Sequence, residues 1–209
     1  MNILQNIDLR SFNTLAVPAN AAYFIEVASL AELQQALEFS REKRRSPVVI
    51  GGGSNVVFTG DIDGVVIRIA MRGIECTMQG DDCLVTAAAG ENWHELVCYC
   101  LAKGWYGLEN LIAIPGSVGA APIQNIGAYG VELSRVLESV TGWDCETSTL
   151  RSLSLDQCKL SYRDSIFKHA LKDKFIITSV TLRLSSKANP DVSYPALRSE
   201  LADPDSVTS

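Results

Sequence analysis

The apolar positions change period several times along the chain, and each change marks an element. Tyr23, Phe24, Ile25 and Val27 crowd residues 23–28 into a strand pattern, after which the spacing turns helical. Ser29 followed by Glu32 reads as a capping box, which starts a helix running to about residue 43 with Leu30, Leu33, Leu37 and Phe39 inward. Residues 47–50, Pro-Val-Val-Ile, predict a short buried strand that enters a glycine-rich loop, and Val56, Val57 and Phe58 predict a strand beyond it. With a further strand at residues 65–69, this makes a small α/β unit ending near Met71.

Past Met71 the same reading gives a strand at residues 83–88 and a helix capped by Asn92 and Glu95. Its apolar face carries Trp93, Leu96, Val97, Cys100 and Leu101, and Gly104 stops it. Residues 136–143, 147–150 and 175–184 predict the strands of a second sheet, with a short helix at residues 154–158. Periodicity alone yields mixed α and β structure.

Two stretches fit neither period. Residues 114–130, IPGSVGAAPIQNIGAYG, place four glycines among short apolar residues, and residues 51–55 read GGGSN. Glycine costs chain entropy and adds no packing, so such runs imply backbone drawn close to something, with free amide N–H groups; a polyanionic cofactor satisfies that, as does a plain surface loop. Consecutive glycines before Ser54 and Asn55 suit a nest of amide donors for phosphate. Neither a Gly-Lys-Ser/Thr ending nor the dinucleotide GxGxxG spacing is present.

Five blocks in this order and spacing carry a resemblance: GGGSN at 51–55, GENWH at 90–94, GLEN at 107–110, the run at 114–130, and YRDSIFK at 162–168. Between about Asn13 and Leu184 the chain resembles the UDP-N-acetylenolpyruvoylglucosamine reductase family of flavoenzymes. The resemblance implies an α+β, two-lobed FAD-binding module of the vanillyl-alcohol oxidase type, with lobes at residues 1–71 and 72–186. It implies FAD held noncovalently in the groove between lobes, by Gly51, Gly52, Gly53, Ser54 and Asn55 and by Ile114, Pro115, Gly116, Ser117, Gly119, Ala120, Ile123, Asn125, Gly127 and Tyr129. Gly53 is expected to admit the pyrophosphate, so that a bulky residue there weakens cofactor binding. NADPH is the implied cosubstrate, and the implied substrate is a UDP-sugar, UDP-N-acetylglucosamine enolpyruvate, reduced to UDP-N-acetylmuramate for peptidoglycan. Arg163 matches the family's catalytic arginine, at the carboxylate where enolate charge develops; without the motif, a salt bridge to Asp164 or Glu109 would be the ordinary reading. Tyr162 is expected to line the same pocket. Tyr194, in Ser-Tyr-Pro-Ala-Leu, matches a substrate-contacting tyrosine, although Pro195 departs from the pattern. Tyr129 either packs on the flavin or plugs its loop.

The same resemblance implies that residues 187–209 are a tail leading toward a substrate domain not in this chain, with the protonating serine and a late glutamate absent and this chain alone inactive. Two other readings stay open: a catalytically silent flavin-binding fragment, and a sugar or alcohol oxidase of the same fold. Those oxidases often tether FAD through a histidine in the first glycine loop, where this chain has none.

Composition agrees with a soluble cytoplasmic enzyme: 47% hydrophobic residues suffice for a core, and a net charge of −6 leaves no basic stripe for nucleic acid. The one basic run, residues 41–45, reads as a solvated helix terminus. Six cysteines without a CxxC pair, and apart from both histidines, argue against zinc and for reduced thiols. His94 and His169 have no sequence partner that makes them catalytic. No signal segment or apolar run of bilayer length is expected, and oligomeric state is not legible.

Overall fold

The computed structural model describes residues 1–201, so of the tail expected over 187–209, residues 202–209 lie outside the described residues. The first 69 residues build one sheet. Strand β1 (Ile3–Asp8) runs antiparallel to β2 (Asn20–Val27), helix α1 (Leu30–Glu42) follows, and strands β3 (Val48–Ile50) and β4 (Ile62–Ile69) give the order β1-β2-β4-β3. The pairs β2–β4 and β3–β4 are parallel, as a crossover through a helix requires. Helix α1 starts where the sequence predicts: Ser29 Oγ accepts from Glu32 N–H at 3.2 Å, and the Glu32 carboxylate accepts from Ala28 N–H at 2.8 Å. That second bond lands one residue before the one a capping box uses. Leu33, Ala36 and Leu37 are buried at helical spacing, and Ser40 extends the same stripe.

A second, antiparallel sheet follows. Strands β5 (Ile74–Gln79) and β6 (Asp82–Ala88) form a hairpin, then come α2 (Trp93–Ala102), the two-residue pair β7 (Gly127–Ala128) and β8 (Val131–Glu132), and β9 (Leu137–Asp144) and β10 (Thr149–Ser154). Helix α3 (Leu155–Cys158), strand β11 (Phe175–Ser185) and helix α4 (Pro195–Glu200) complete the described elements, and the sheet order is β10-β9-β11-β6-β5. Asn92 caps α2 through Glu95 N–H at 3.0 Å, and Trp93, Leu96, Val97 and Cys100 are buried. One apolar core joins the two sheets, taking Ile25 and Val27 from the first, Val85 and Val180 from the second, and Trp93 and Leu96 from α2. A smaller core of Leu9, Phe24, Ile50, Phe58 and Val66 lies elsewhere on the first sheet.

The structure corrects several expectations. Residues 56–58 form no strand; Phe58 is buried in the smaller core while the backbone runs irregularly to β4. Strand β3 is an edge strand whose Val48 and Val49 are exposed and line a groove, and only Ile50 is buried in a core. Strand β5 went unpredicted although Ile74, Cys76 and Met78 alternate with Glu75, Thr77 and Gln79; five of its six residues are exposed, so the alternation marks no buried face. Cys76 and Cys83, on neighbouring strands β5 and β6, are joined as a disulfide, against the expectation of thiols throughout. No helix among the described residues is long and apolar enough to cross a membrane.

Candidate cofactor groove

The two sheets leave a groove of about 1020 Å³ between them, large enough for an extended dinucleotide. At one end the loop after β3 meets the run at 114–124. Glycines there serve mutual approach. A Cβ on Gly51 would overlap Ser117 Oγ, one on Gly52 would stand 3.3 Å from Gly116 Cα, and one on Gly119 would stand 2.6 Å from Ala89 Cβ. Gly116, at φ +122, has Ser54 Oγ where a side chain would go, and that hydroxyl donates to Pro115 O at 3.2 Å. The backbone stitches the loops to the entry of α2: Trp93 N–H donates to Gly116 O, Val118 N–H to Glu91 O and Gly119 N–H to Ala89 O, at 2.9–3.0 Å. The 3₁₀ segment Val118–Gln124 rests on β11 and β6, so the second glycine run belongs to the second sheet while the first belongs to the first.

Gly53 lines the groove and is also required by the fold. Its φ is +70, and a Cβ would overlap the carbonyl oxygen of Phe12, while its own carbonyl accepts from Thr14 N–H at 3.1 Å. The residue is buried against the segment before β2, so a bulky substitution there breaks the fold before it crowds any ligand.

The chemistry of the glycine end is that of an anion site. Among the described residues, the N–H groups of residues 52–55 donate to no atom of the chain, and Ser117 Oγ is buried without a hydrogen-bond partner. A buried hydroxyl left unpaired costs about 1–3 kcal/mol, which a ligand oxygen would recover. The wall carries Gly51, Gly52, Gly53, Ser54, Asn55, Ile114, Pro115, Ser117, Gly119, Ala120 and Ile123 of the residues expected to hold a cofactor. Gly116, Asn125, Gly127 and Tyr129 are not part of it. Gly116 packs behind Gly52. Asn125 is a buried hub in left-handed conformation: its amide donates to Glu132 Oε2 at 2.8 Å and Ser161 O at 3.1 Å, and its Oδ1 accepts from Ser134 N–H at 3.0 Å. Gly127 O accepts from Arg163, and Tyr129 is half exposed with its ring edge-on to Tyr194, centroids 5.8 Å apart.

Asn125 explains where the Tyr162–Arg163 turn sits. Ser161 and Asp164 exchange both backbone bonds at 3.1 Å, Arg163 takes φ +55, and the turn hangs from the glycine run through Asn125 and through Ser165 Oγ, which donates to Ile123 O at 2.6 Å. The Arg163 guanidinium donates to Gly127 O at 3.0 Å, and Asp164 is engaged instead by His169 at 2.7 Å, whose hydrogen bond holds that carboxyl below its usual range. Tyr162 is 81% exposed. Tyr162, Arg163 and Tyr194 are not part of the groove wall, and Arg163 is tied to Gly127 of the glycine run and to the wall residue Lys168. Asp191 fixes the path toward Tyr194: its carboxyl, drawn down to about 2 by Ser193 and Arg135, is anchored while Asn110 holds its carbonyl at 2.8 Å. His94 takes a structural part, its Nδ1 accepting from Ala113 N–H at 3.2 Å.

The sequence profile described as FAD binding domain matches residues 21–153, well over half of the chain. The chain belongs to that FAD-binding family. The groove fits the cofactor on the two observations above, the unpartnered amides and the orphaned Ser117. A UDP-N-acetylenolpyruvoylglucosamine reductase of Dechloromonas aromatica is 46% identical over 206 residues, 97% of this chain and 60% of that protein. The chain thus spans about 60% of that relative's length. The crystal structure of UDP-N-acetylenolpyruvylglucosamine reductase from Thermus caldophilus superposes with a TM-score of 0.66 at 26% identity, covering 95% of this chain and 66% of that one. Cholesterol oxidase from Brevibacterium sterolicum shares the fold, with a TM-score of 0.61 at 14% identity over 91% of this chain and 40% of its own. The FAD-binding chain is therefore an α+β, two-lobed module of the vanillyl-alcohol oxidase type.

Proposed function

We propose that this FAD-binding chain is the flavin module of an NADPH-dependent, cytoplasmic reductase that converts UDP-N-acetylglucosamine enolpyruvate to UDP-N-acetylmuramate, with residues 1–71 and 72–186 as its two lobes. The observation that carries the reading is the convergence of the two glycine runs, one from each sheet, on a groove end with unpartnered amides and the orphaned Ser117 hydroxyl. The likeness to the reductases supports the substrate class. Bound FAD supplies a two-electron carrier that takes a hydride from NADPH and returns one to the substrate double bond. The chain's own residues bind and orient. Amides of residues 52–55 and Ser117 Oγ hold the pyrophosphate, and Val48, Val49, Ile176 and Ile177 present apolar walls that exclude water from the remainder.

Arg163 answers the charge that builds on the substrate carboxylate. The left-handed turn, fixed by Asn125 and Ser165, holds its guanidinium on the rim beside the glycine run. A cation held there gains little from bulk water once substrate covers it, and removing such a group typically costs several kcal/mol in the transition state. Tyr162 and Tyr194 offer ring faces and hydroxyls to the nucleotide sugar.

Titration of the apo chain with FAD, followed by flavin fluorescence, tests the cofactor reading: saturable binding, with the flavin released into the supernatant on acid precipitation, is the expected result. For catalysis, Arg163→Ala in the protein as its gene encodes it leaves flavin reduction by NADPH unchanged and slows reoxidation by the enolpyruvyl substrate about a hundredfold. Equal impairment of both half-reactions in rapid mixing would remove Arg163 from the assignment.

A further inference from the structure

The groove's far end is built differently. Arg41, Arg44 and Arg45 from the C-terminal turn of α1 and beyond, with Lys172 from the segment before β11, line its wall, while Lys168 lies nearer the glycine run and Asp173 is the one carboxylate among the lining residues. The basic run that reads as a solvated helix end therefore faces the groove. Arg45 is paired with Asp63 at 2.7 Å, and Lys168 donates to Arg163 O at 2.9 Å. Among the described residues, Arg41, Arg44 and Lys172 have no carboxylate within ion-pair distance. Ser40, on the same turn and 1% exposed, puts a buried hydroxyl with no partner on this wall. A chain of net charge −6 thus concentrates unpaired cations at one mouth of its groove, beside a polar atom awaiting an acceptor.

We infer that Arg41, Arg44 and Lys172 form an electrostatic funnel that draws the pyrophosphate of FAD into the groove and sets the rate of its capture. The inference rests on the FAD reading and adds to it which residues govern association. The pyrophosphate carries about two negative charges and approaches an acidic protein, so at long range it is repelled. Three exposed cations around a low-dielectric cleft reverse the local field within a Debye length of about 8–10 Å, and a field of this kind acts on encounter rather than on the docked complex. Strand β3, three residues and about 10 Å long, separates the α1 end from the glycine loop, a distance comparable to a Debye length. Their effect falls on the association rate, while the amides of residues 52–55 and Ser117 set the dissociation rate.

The test is stopped-flow binding of FAD to the 209-residue apo chain over a range of salt. For the unmodified chain, the association rate falls roughly fivefold or more between about 20 and 500 mM monovalent salt, with the dissociation rate nearly constant. The triple variant Arg41→Gln, Arg44→Gln, Lys172→Gln associates about tenfold more slowly at low salt, meets the unmodified chain at high salt, and keeps its dissociation rate. Lys103→Gln, which removes a single positive charge outside the groove, leaves the rate within about twofold. An association rate insensitive to salt, or a triple variant with the unmodified rate, overturns the funnel while the FAD reading stands. Failure of the unmodified chain to bind FAD overturns both. The salt profile of the unmodified chain needs no variant, so misfolding of the triple variant does not shelter the inference.

Discussion

The two ends of the groove recognise anions by opposite means. At the glycine end the donors are backbone amides, held by loops so tightly apposed that four of the glycines tolerate no Cβ without displacing a neighbour. At the α1 end the donors are exposed side chains that pack against little. Recognition at the first end is therefore inseparable from folding, whereas at the second it is separable, and substitutions there change electrostatics alone. Each end also keeps one buried hydroxyl unpaired, Ser117 at the first and Ser40 at the second, which makes the pair an internal control.

The largest expected effect tests that inseparability. Gly53→Val places a β-branched side chain at φ +70 and against Phe12 O, and it is expected to cost at least ~3 kcal/mol of stability. Urea denaturation of the apo chain measures it directly. A folded variant of unchanged stability with weakened FAD binding would restore the simpler view that Gly53 only makes room for the pyrophosphate.

A smaller effect separates the hydroxyls. Ser117→Ala removes an unsatisfied buried group, so the apo chain gains on the order of 1 kcal/mol while FAD affinity falls about five- to tenfold. Ser40→Ala gives a similar gain in stability, but affinity falls only about twofold, because that end steers more than it holds. Paired denaturation and titration curves decide the matter. Equal losses of affinity for the two variants would show that both ends grip the cofactor, and the contrast between them would fail.

This contrast also marks what was legible in the sequence. Helices α1 and α2 were, because Ser29, Glu32, Asn92 and Glu95 act within four residues of themselves and the buried stripe repeats at helical spacing. The glycine runs were visible as runs, yet the fold's own demand for glycine at Gly53 was not, since the atom it yields to, Phe12 O, lies some forty residues earlier in the chain. The role of residues 41–45 was hidden for a like reason. A charge at a helix end looks the same whether it faces solvent or a cleft, and only the placement of β3 and β11 decides. Asn125 was expected at the cofactor; its three side-chain bonds show it tying the glycine run to the Tyr162–Arg163 turn, a link across residues 125–161 that no local pattern encodes. Strand β5 was passed over although Ile74, Cys76 and Met78 alternate with Glu75, Thr77 and Gln79, a short and weakly apolar pattern on an exposed edge strand.

The finest distinction is whether bound FAD reaches the α1 end at all, and Cys145 reports on it. This thiol lines the groove there, half-buried, and its backbone N–H donates to Lys174 O at 2.8 Å. Burial pushes its pKa up, with Arg41 opposing and Asp144 adding to the rise, so its thiolate fraction at pH 8 is below that of an ordinary cysteine. The sign follows: alkylation of Cys145 by iodoacetamide is slow at pH 8 and still climbing above pH 9. Cys100 and Cys158, buried with pKa values pushed to about 12 and about 11, stay silent in the folded chain. If the adenosine half lies along β3 as far as the α1 end, saturating FAD slows labelling of Cys145 severalfold and leaves Cys98 unchanged, as read by peptide mass mapping. Unprotected Cys145 would confine the cofactor to the glycine end, and the cations of α1 would then act on its approach without ever covering it.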